Sequence, residues 1–93
     1  MTDQDDNPIE YPIDGTLDLH QFQPNETKEA VLAYIEECLD RDILQLRIVH
    51  GKGIGVQREI VRNVLSMHPN VKWFRQEGGS GGGWGATVVD LMK

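Results

Sequence analysis

Hydrophobic positions recur along this chain with two different periods. Leu17-Asp18-Leu19-His20 alternates apolar and polar, which predicts a short strand with Leu17 and Leu19 on one face and Asp18 and His20 on the other. From residue 27 to about residue 41 the period lengthens. Val31, Ile35, Cys38 and Leu39, with Tyr34 beside them, return at helical spacing, while Lys28, Glu29, Glu36, Glu37 and Asp40 take the outer face. Either Pro24 opens this helix in its first turn or Asn25 caps it. Leu46-Arg47-Ile48-Val49 is a short apolar run rich in β-branched residues and predicts a buried strand. It runs through His50-Gly51-Lys52-Gly53-Ile54-Gly55 into a second helical pattern from Val56 to about Met67, with Ile60, Val61, Val64 and Leu65 on its inner face. Pro69 stops that helix, and His68 in its last turn suits the dipole there. Residues 71–75 and Ala86–Leu91 predict two more strands. Between them, residues 78–85 are glycine at six of eight positions.

The order is therefore β-α-β-α-β-β, with no internal repeat. Strand, helix, strand implies a parallel pair joined by a right-handed crossover. The last two strands can pair as an antiparallel hairpin. The expected fold is a two-layer α/β sandwich in which both helices cover one face of a mixed four-stranded sheet.

Composition narrows the function. Ninety-three residues make one domain with one small core. The net charge of −6 is unevenly spread: residues 1–15 contribute −5, residues 16–50 contribute −4 and residues 51–93 contribute +3. An acidic protein is a poor non-specific nucleic-acid binder, so any such contact must be local and lie in the basic half. Residues 1–14 read as a flexible acidic tail, and residues 15–93 as the domain. Ile9, Tyr11 and Ile13 alternate at the end of the tail, so that part either docks or stays solvated. No apolar run approaches the roughly 20 residues that span a membrane. The acidic start carries no signal region, and the expected location is the cytoplasm. Cys38 is the lone cysteine and reads as a small core residue.

The chemistry gathers at one edge. A glycine turn ahead of a helix aims several N–H groups at one point, where the helix dipole adds positive charge and Lys52 a full one. That stretch is either an anion seat or a plain tight turn, since neither the Walker nor the dinucleotide pattern fits. Arg58 and Arg62, four apart, either extend this positive field or are solvated. Trp84 either packs back on the domain or offers a stacking surface. His20 ends the first strand, His50 ends the second, and the glycine loop enters the fourth from the same side. Ligands of open α/β sheets bind at that edge.

Leu17-Asp18-Leu19-His20, His50-Gly51-Lys52-Gly53 and the loop closing in Gly85-Ala86-Thr87 together resemble the three signatures of the Smr (small MutS-related) domain, over roughly residues 15–92. The resemblance implies a fold similar to the C-terminal domain of a bacterial translation initiation factor, and an endonuclease or nickase that cleaves RNA or DNA. It assigns Asp18 and His20 an acid–base or metal-binding role. It puts His50, Gly51, Lys52 and Gly53 at the scissile phosphate and lets Gly83, Trp84, Gly85 and Thr87 shape the nucleic-acid groove; Arg58 joins the nucleic-acid-binding set from its place on the helix beside the turn, not from the resemblance. Gln21-Phe22 departs from the glycine that many members carry after the first histidine.

Two histidines titrating near neutrality can serve as general base and acid. On RNA the 2′-OH can be the nucleophile without a metal; on DNA water attacks, and a divalent cation, Mg²⁺ or Mn²⁺, enters. Two rivals stand beside this reading. One is a non-catalytic nucleic-acid-binding module using the same site. The other is an interaction domain whose acidic tail recruits a basic protein partner.

Overall fold

The computed structural model describes residues 13–51, 55–77 and 85–93. The acidic tail up to residue 12 lies outside the described residues, as do Lys52 and Gly53 of the turn and Gly83 and Trp84 of the loop.

Among the described residues, seven elements follow one another: β1 (Thr16–Asp18), a 3₁₀ turn (Leu19–Gln21), α1 (Pro24–Asp40), β2 (Gln45–Val49), α2 (Val56–Met67), β3 (Val71–Gln76) and β4 (Ala86–Leu91). The sheet order is β1-β2-β4-β3. β1 lies parallel to β2, with Leu17 opposite Ile48. β4 inserts antiparallel between β2 and β3, so that Thr87 faces Ile48 and Phe74 faces Val89. This is the mixed four-stranded sheet that the element order predicts.

Alternation decides which face is covered. Leu46, Ile48, Val89 and Leu91 point to one side and join Val31, Ile35, Val61 and Leu65 from the two helices in a single core. α1 and α2 pack on each other over that side. Each such side chain, fully buried, contributes about 1.5–3 kcal/mol. Cys38 is buried within this cluster. Ile13 packs against it as well, at the point where the described chain begins. The other face of the sheet carries Arg47, whose guanidinium makes two hydrogen bonds to Glu77 (2.8 and 3.0 Å), and Trp73 with the Arg75 guanidinium 5.9 Å from its ring centre. Among the described residues, no helix is long and apolar enough to cross a membrane.

Local signals set the ends of the helices. Pro24, not Asn25, opens α1: proline has no N–H to lose in a first turn, and the Glu26 carboxylate accepts the Gln23 N–H (2.8 Å). α1 closes where Asp42 adopts a left-handed φ of 59° and the Ile43 N–H reaches back to the Cys38 carbonyl (2.8 Å). α2 starts from Gly55, also left-handed, at φ 86°.

Candidate functional site

The first strand is shorter than its alternation suggests. Pairing stops at Asp18, and His20 stands on a 3₁₀ turn rather than at a strand end. The cause is Asp18 itself. Its Oδ1 accepts the His20 backbone N–H (2.9 Å), which caps the turn, and also meets His20 Nδ1 (2.6 Å). Leu19 is thereby driven into the core, wholly buried, while the Asp18 and His20 side chains remain more than half exposed. The His20 backbone N–H is the main reason that the Asp18 carboxyl sits below its ordinary pKa; the imidazole adds to this, and partial desolvation opposes it. An ionised carboxylate only accepts, so Nδ1 carries a proton, and in the neutral imidazole Nε2 then presents its lone pair.

That Nε2 lies against the glycine turn. A β-carbon added to Gly51 would come within 2.9 Å of it. Gly51 also has φ 81°, so its glycine identity is required twice over. Gly85 crosses the same point: its carbonyl accepts the N–H groups of both His50 and Gly51 (2.8 Å each), and a β-carbon on it would touch the Gly51 backbone. The three sequence signatures therefore meet around Gly51.

The two histidines meet different fates. His50 is only 6% exposed, and both its ring nitrogens are engaged. Nδ1 lies 3.1 Å from the Gly51 carbonyl and must donate, so Nε2 accepts from the Thr87 hydroxyl at 2.9 Å. Burial, before any other cause, lowers the His50 pKa; the Gly51 carbonyl opposes this, and the Arg58 charge reinforces it. Thr87, given above to the nucleic-acid groove, is itself buried and spends its hydroxyl on His50. His68 belongs elsewhere. It caps the far end of α2, about 18 Å of helix from Gly55, and its Nδ1 accepts the Asn70 N–H (3.0 Å).

Two side chains of the first turn of α2 complete the edge. The Arg58 guanidinium folds back over Gly55, within 2.9 Å of where a β-carbon would stand. Gln57, to which sequence reasoning gave no role, reaches the other way. Its Nε2 lies 2.8 Å from the Phe22 carbonyl, 3.2 Å from the Leu19 carbonyl and 3.2 Å from Thr27 Oγ1. It thus clamps the turn that bears His20 to the helix that follows the glycine turn. No pattern in one sequence marks such a residue, because a polar position on an amphipathic helix reads as solvated. Among the described residues, no three His, Cys, Asp or Glu side chains gather as a metal cage.

A two-layer α/β domain whose strand ends bring a carboxylate–histidine pair, a histidine–glycine turn and a glycine-entered strand to one edge defines a narrow class. The chain belongs to the Smr domain family, whose model matches residues 17–92. It is 37% identical over 82 residues to endonuclease MutS2 of Caldicellulosiruptor bescii and 35% identical over 82 residues to that of Halalkalibacterium halodurans. In each case 88% of this chain is covered, and it spans only a tenth of the relative's length. Two crystal structures share the fold. The Smr domain of Thermus thermophilus MutS2 superposes with a TM-score of 0.77 at 32% identity, over 84% of this chain and 98% of that one. YdaL, a stand-alone small MutS-related protein from Escherichia coli, gives 0.77 at 26% identity, over 91% of this chain and 70% of that one.

Proposed function

We propose that this domain is a nucleic-acid endonuclease or nickase of the Smr type, cutting phosphodiester bonds of RNA or DNA with His20 as its general base. One observation carries the reading. An exposed imidazole, oriented by an ionised Asp18 through Nδ1, turns Nε2 onto the Gly51 turn, where a phosphate would sit at the entrance to α2. On RNA, Nε2 takes the proton of the 2′-OH that attacks the phosphorus. On DNA it takes the proton of the attacking water. Lys52 and Gly53, which follow Gly51 in the chain, are assigned the scissile phosphate by the family signature. They would hold its developing charge together with the helix dipole. His50 stays neutral under Thr87 and fastens the turn, so the proton to the leaving oxygen comes from the solvent side. A divalent cation, Mg²⁺ or Mn²⁺, would find Asp18 beside His20 and take its remaining ligands from the substrate phosphate and water.

A second reading has its own support. With His50 buried on both nitrogens, the described residues present one exposed histidine at the edge rather than the two of an acid–base pair, a pair that a binding module without chemistry does not need. A single experiment separates the two. Labelled single-stranded RNA, single-stranded DNA and supercoiled DNA are incubated with the protein and with His20→Ala, with and without Mg²⁺ or Mn²⁺. Product from the parent protein alone identifies a nuclease and its substrate class. Intact substrate in every lane, with a salt-sensitive gel shift, identifies the binding module.

A further inference from the structure

Beside the glycine turn, a groove of about 290 Å³ opens between α2 and the edge strand β3, lined by Arg58, Arg62, Phe74, Arg75, Gln76 and Thr87. Arg58 and Arg62 bring their guanidinium groups to it from α2, Arg75 borders it while its own guanidinium lies over Trp73 on the other face, and none of the lining is carboxylate. One end abuts the site, because Thr87 holds His50 Nε2 and the Arg58 guanidinium lies over Gly55. Arg62 is one helical turn further from the site on the same face as Arg58. The carboxylate nearest to it, Glu59, stands 3.8 Å away, with both side chains about 60% exposed. A pair so long and so wet holds a guanidinium only weakly. Glu77, the other acid in the neighbourhood, is bound by Arg47 on the opposite face of the sheet. In a chain of net charge −6, the pair of guanidinium groups that α2 brings to this groove, Arg58 and Arg62, is the exception to the overall field.

We propose that the groove is a second phosphate subsite, in which Arg62 binds the phosphodiester next to the one placed at Gly51. The inference rests on the proposed nucleic-acid function and assigns its substrate a path: a single strand leaving the site along α2. A groove walled by one helix and one strand edge admits a single sugar-phosphate unit and not the breadth of a duplex. Guanidinium forks suit phosphate oxygens, and Phe74 on the floor offers the sugar an apolar surface. Arg62 then positions the strand and fixes how many nucleotides a substrate needs.

The test pairs Arg62→Gln with a short single-stranded oligonucleotide in which each phosphodiester is replaced, one at a time, by a neutral methylphosphonate. Binding is read by fluorescence anisotropy, and the strand is run on a denaturing gel afterwards. One neutral linkage is expected to weaken binding to the parent protein and to have no further effect on Arg62→Gln. The variant is also expected to lower the slope of log affinity against log salt by about 0.7, the loss of one single-strand phosphate contact. Arg62→Lys, which keeps the charge, should restore the slope. If every linkage costs the same in Arg62→Gln as in the parent, the subsite is overturned. The gel keeps the two hypotheses apart. An intact strand with Arg62 coupled to one linkage supports the groove and removes the nuclease, whereas a cut strand without coupling removes the groove alone.

Discussion

The imidazole of His20 rests on Gly51, with Nε2 2.9 Å from where a β-carbon on that glycine would lie. Two signatures some thirty residues apart are thus joined by the absence of a side chain. Gly51→Ala must either push the ring off Asp18 or move the turn. It also places alanine at φ 81°, a left-handed conformation that costs an L-residue about 1–2 kcal/mol. The variant is expected to fold with a lower melting temperature and to lose cleavage far out of proportion to that loss. Thermal unfolding and cleavage measured on one preparation check this; full activity in a folded Gly51→Ala would show that the His20–Gly51 contact is incidental.

Asp18 has two jobs, and one substitution separates them. Asparagine caps a turn about as well as aspartate, so Asp18→Asn should keep the His20 N–H satisfied and the fold intact. It removes the charge that fixes the Nδ1 proton and supports an imidazolium. Cleavage is expected to fall up to about 10²-fold, short of the ~10²–10⁴ that loss of the acid–base group itself removes. The readout is kcat against melting temperature. A fall in both together would make Asp18 a structural cap alone.

His50 supplies a pH dependence of stability. Its folded pKa lies below the ordinary imidazole value of about 6.5, because burial opposes the charged form. As pH falls through that value the unfolded chain takes up the proton first, so the unfolded state binds more protons and stability declines. The contribution is complete above about pH 6.5 and is lost toward the lower folded pKa, whereas that of Asp18, also depressed, is lost below about pH 4. Urea midpoints should therefore drop between neutral pH and about pH 5 in the parent protein. His50→Asn, less stable throughout, should flatten that window. A midpoint equally pH-dependent in the variant would assign the effect to other groups.

What the sequence made legible was periodicity and convergence. Val56 to Met67 and Ala86 to Leu91 stand where alternating and helical spacing put them, and His20, His50 and Gly85 do meet at one edge. Events in single side chains were hidden. Leu19 satisfied strand alternation because it is buried, yet it is buried by a turn that Asp18 initiates. α1 starts three residues before Thr27, since a first turn of proline and polar residues shows no apolar period. His50 and Thr87 look alike as exposed chemistry or as a buried pair until the β2–β4 register sets Thr87 beside Ile48 and within reach of His50.

Gln57 is the sharpest of these hidden residues. Carbonyl oxygens of Leu19 and Phe22 both lie within hydrogen-bond reach of one amide atom, so that atom must be the donor nitrogen. Gln57→Leu fits the helix but removes this donor, while the Leu19 carbonyl keeps the Phe22 N–H, a cost of about 0.5–1.5 kcal/mol. The His20 turn loosens with it, and kcat should fall while KM holds. Gln57→Glu sets a carboxylate against the same two carbonyls and should be worse at neutral pH. Its introduced acid regains a donor only when protonated, so its folded pKa rises above the unfolded one. Stability relative to the parent should then recover as pH falls toward about 4, the ordinary carboxyl range. Denaturation of both variants at neutral and acid pH measures this. If Gln57→Glu weakens further in acid, or matches Gln57→Leu at every pH, the amide does not hold the turn.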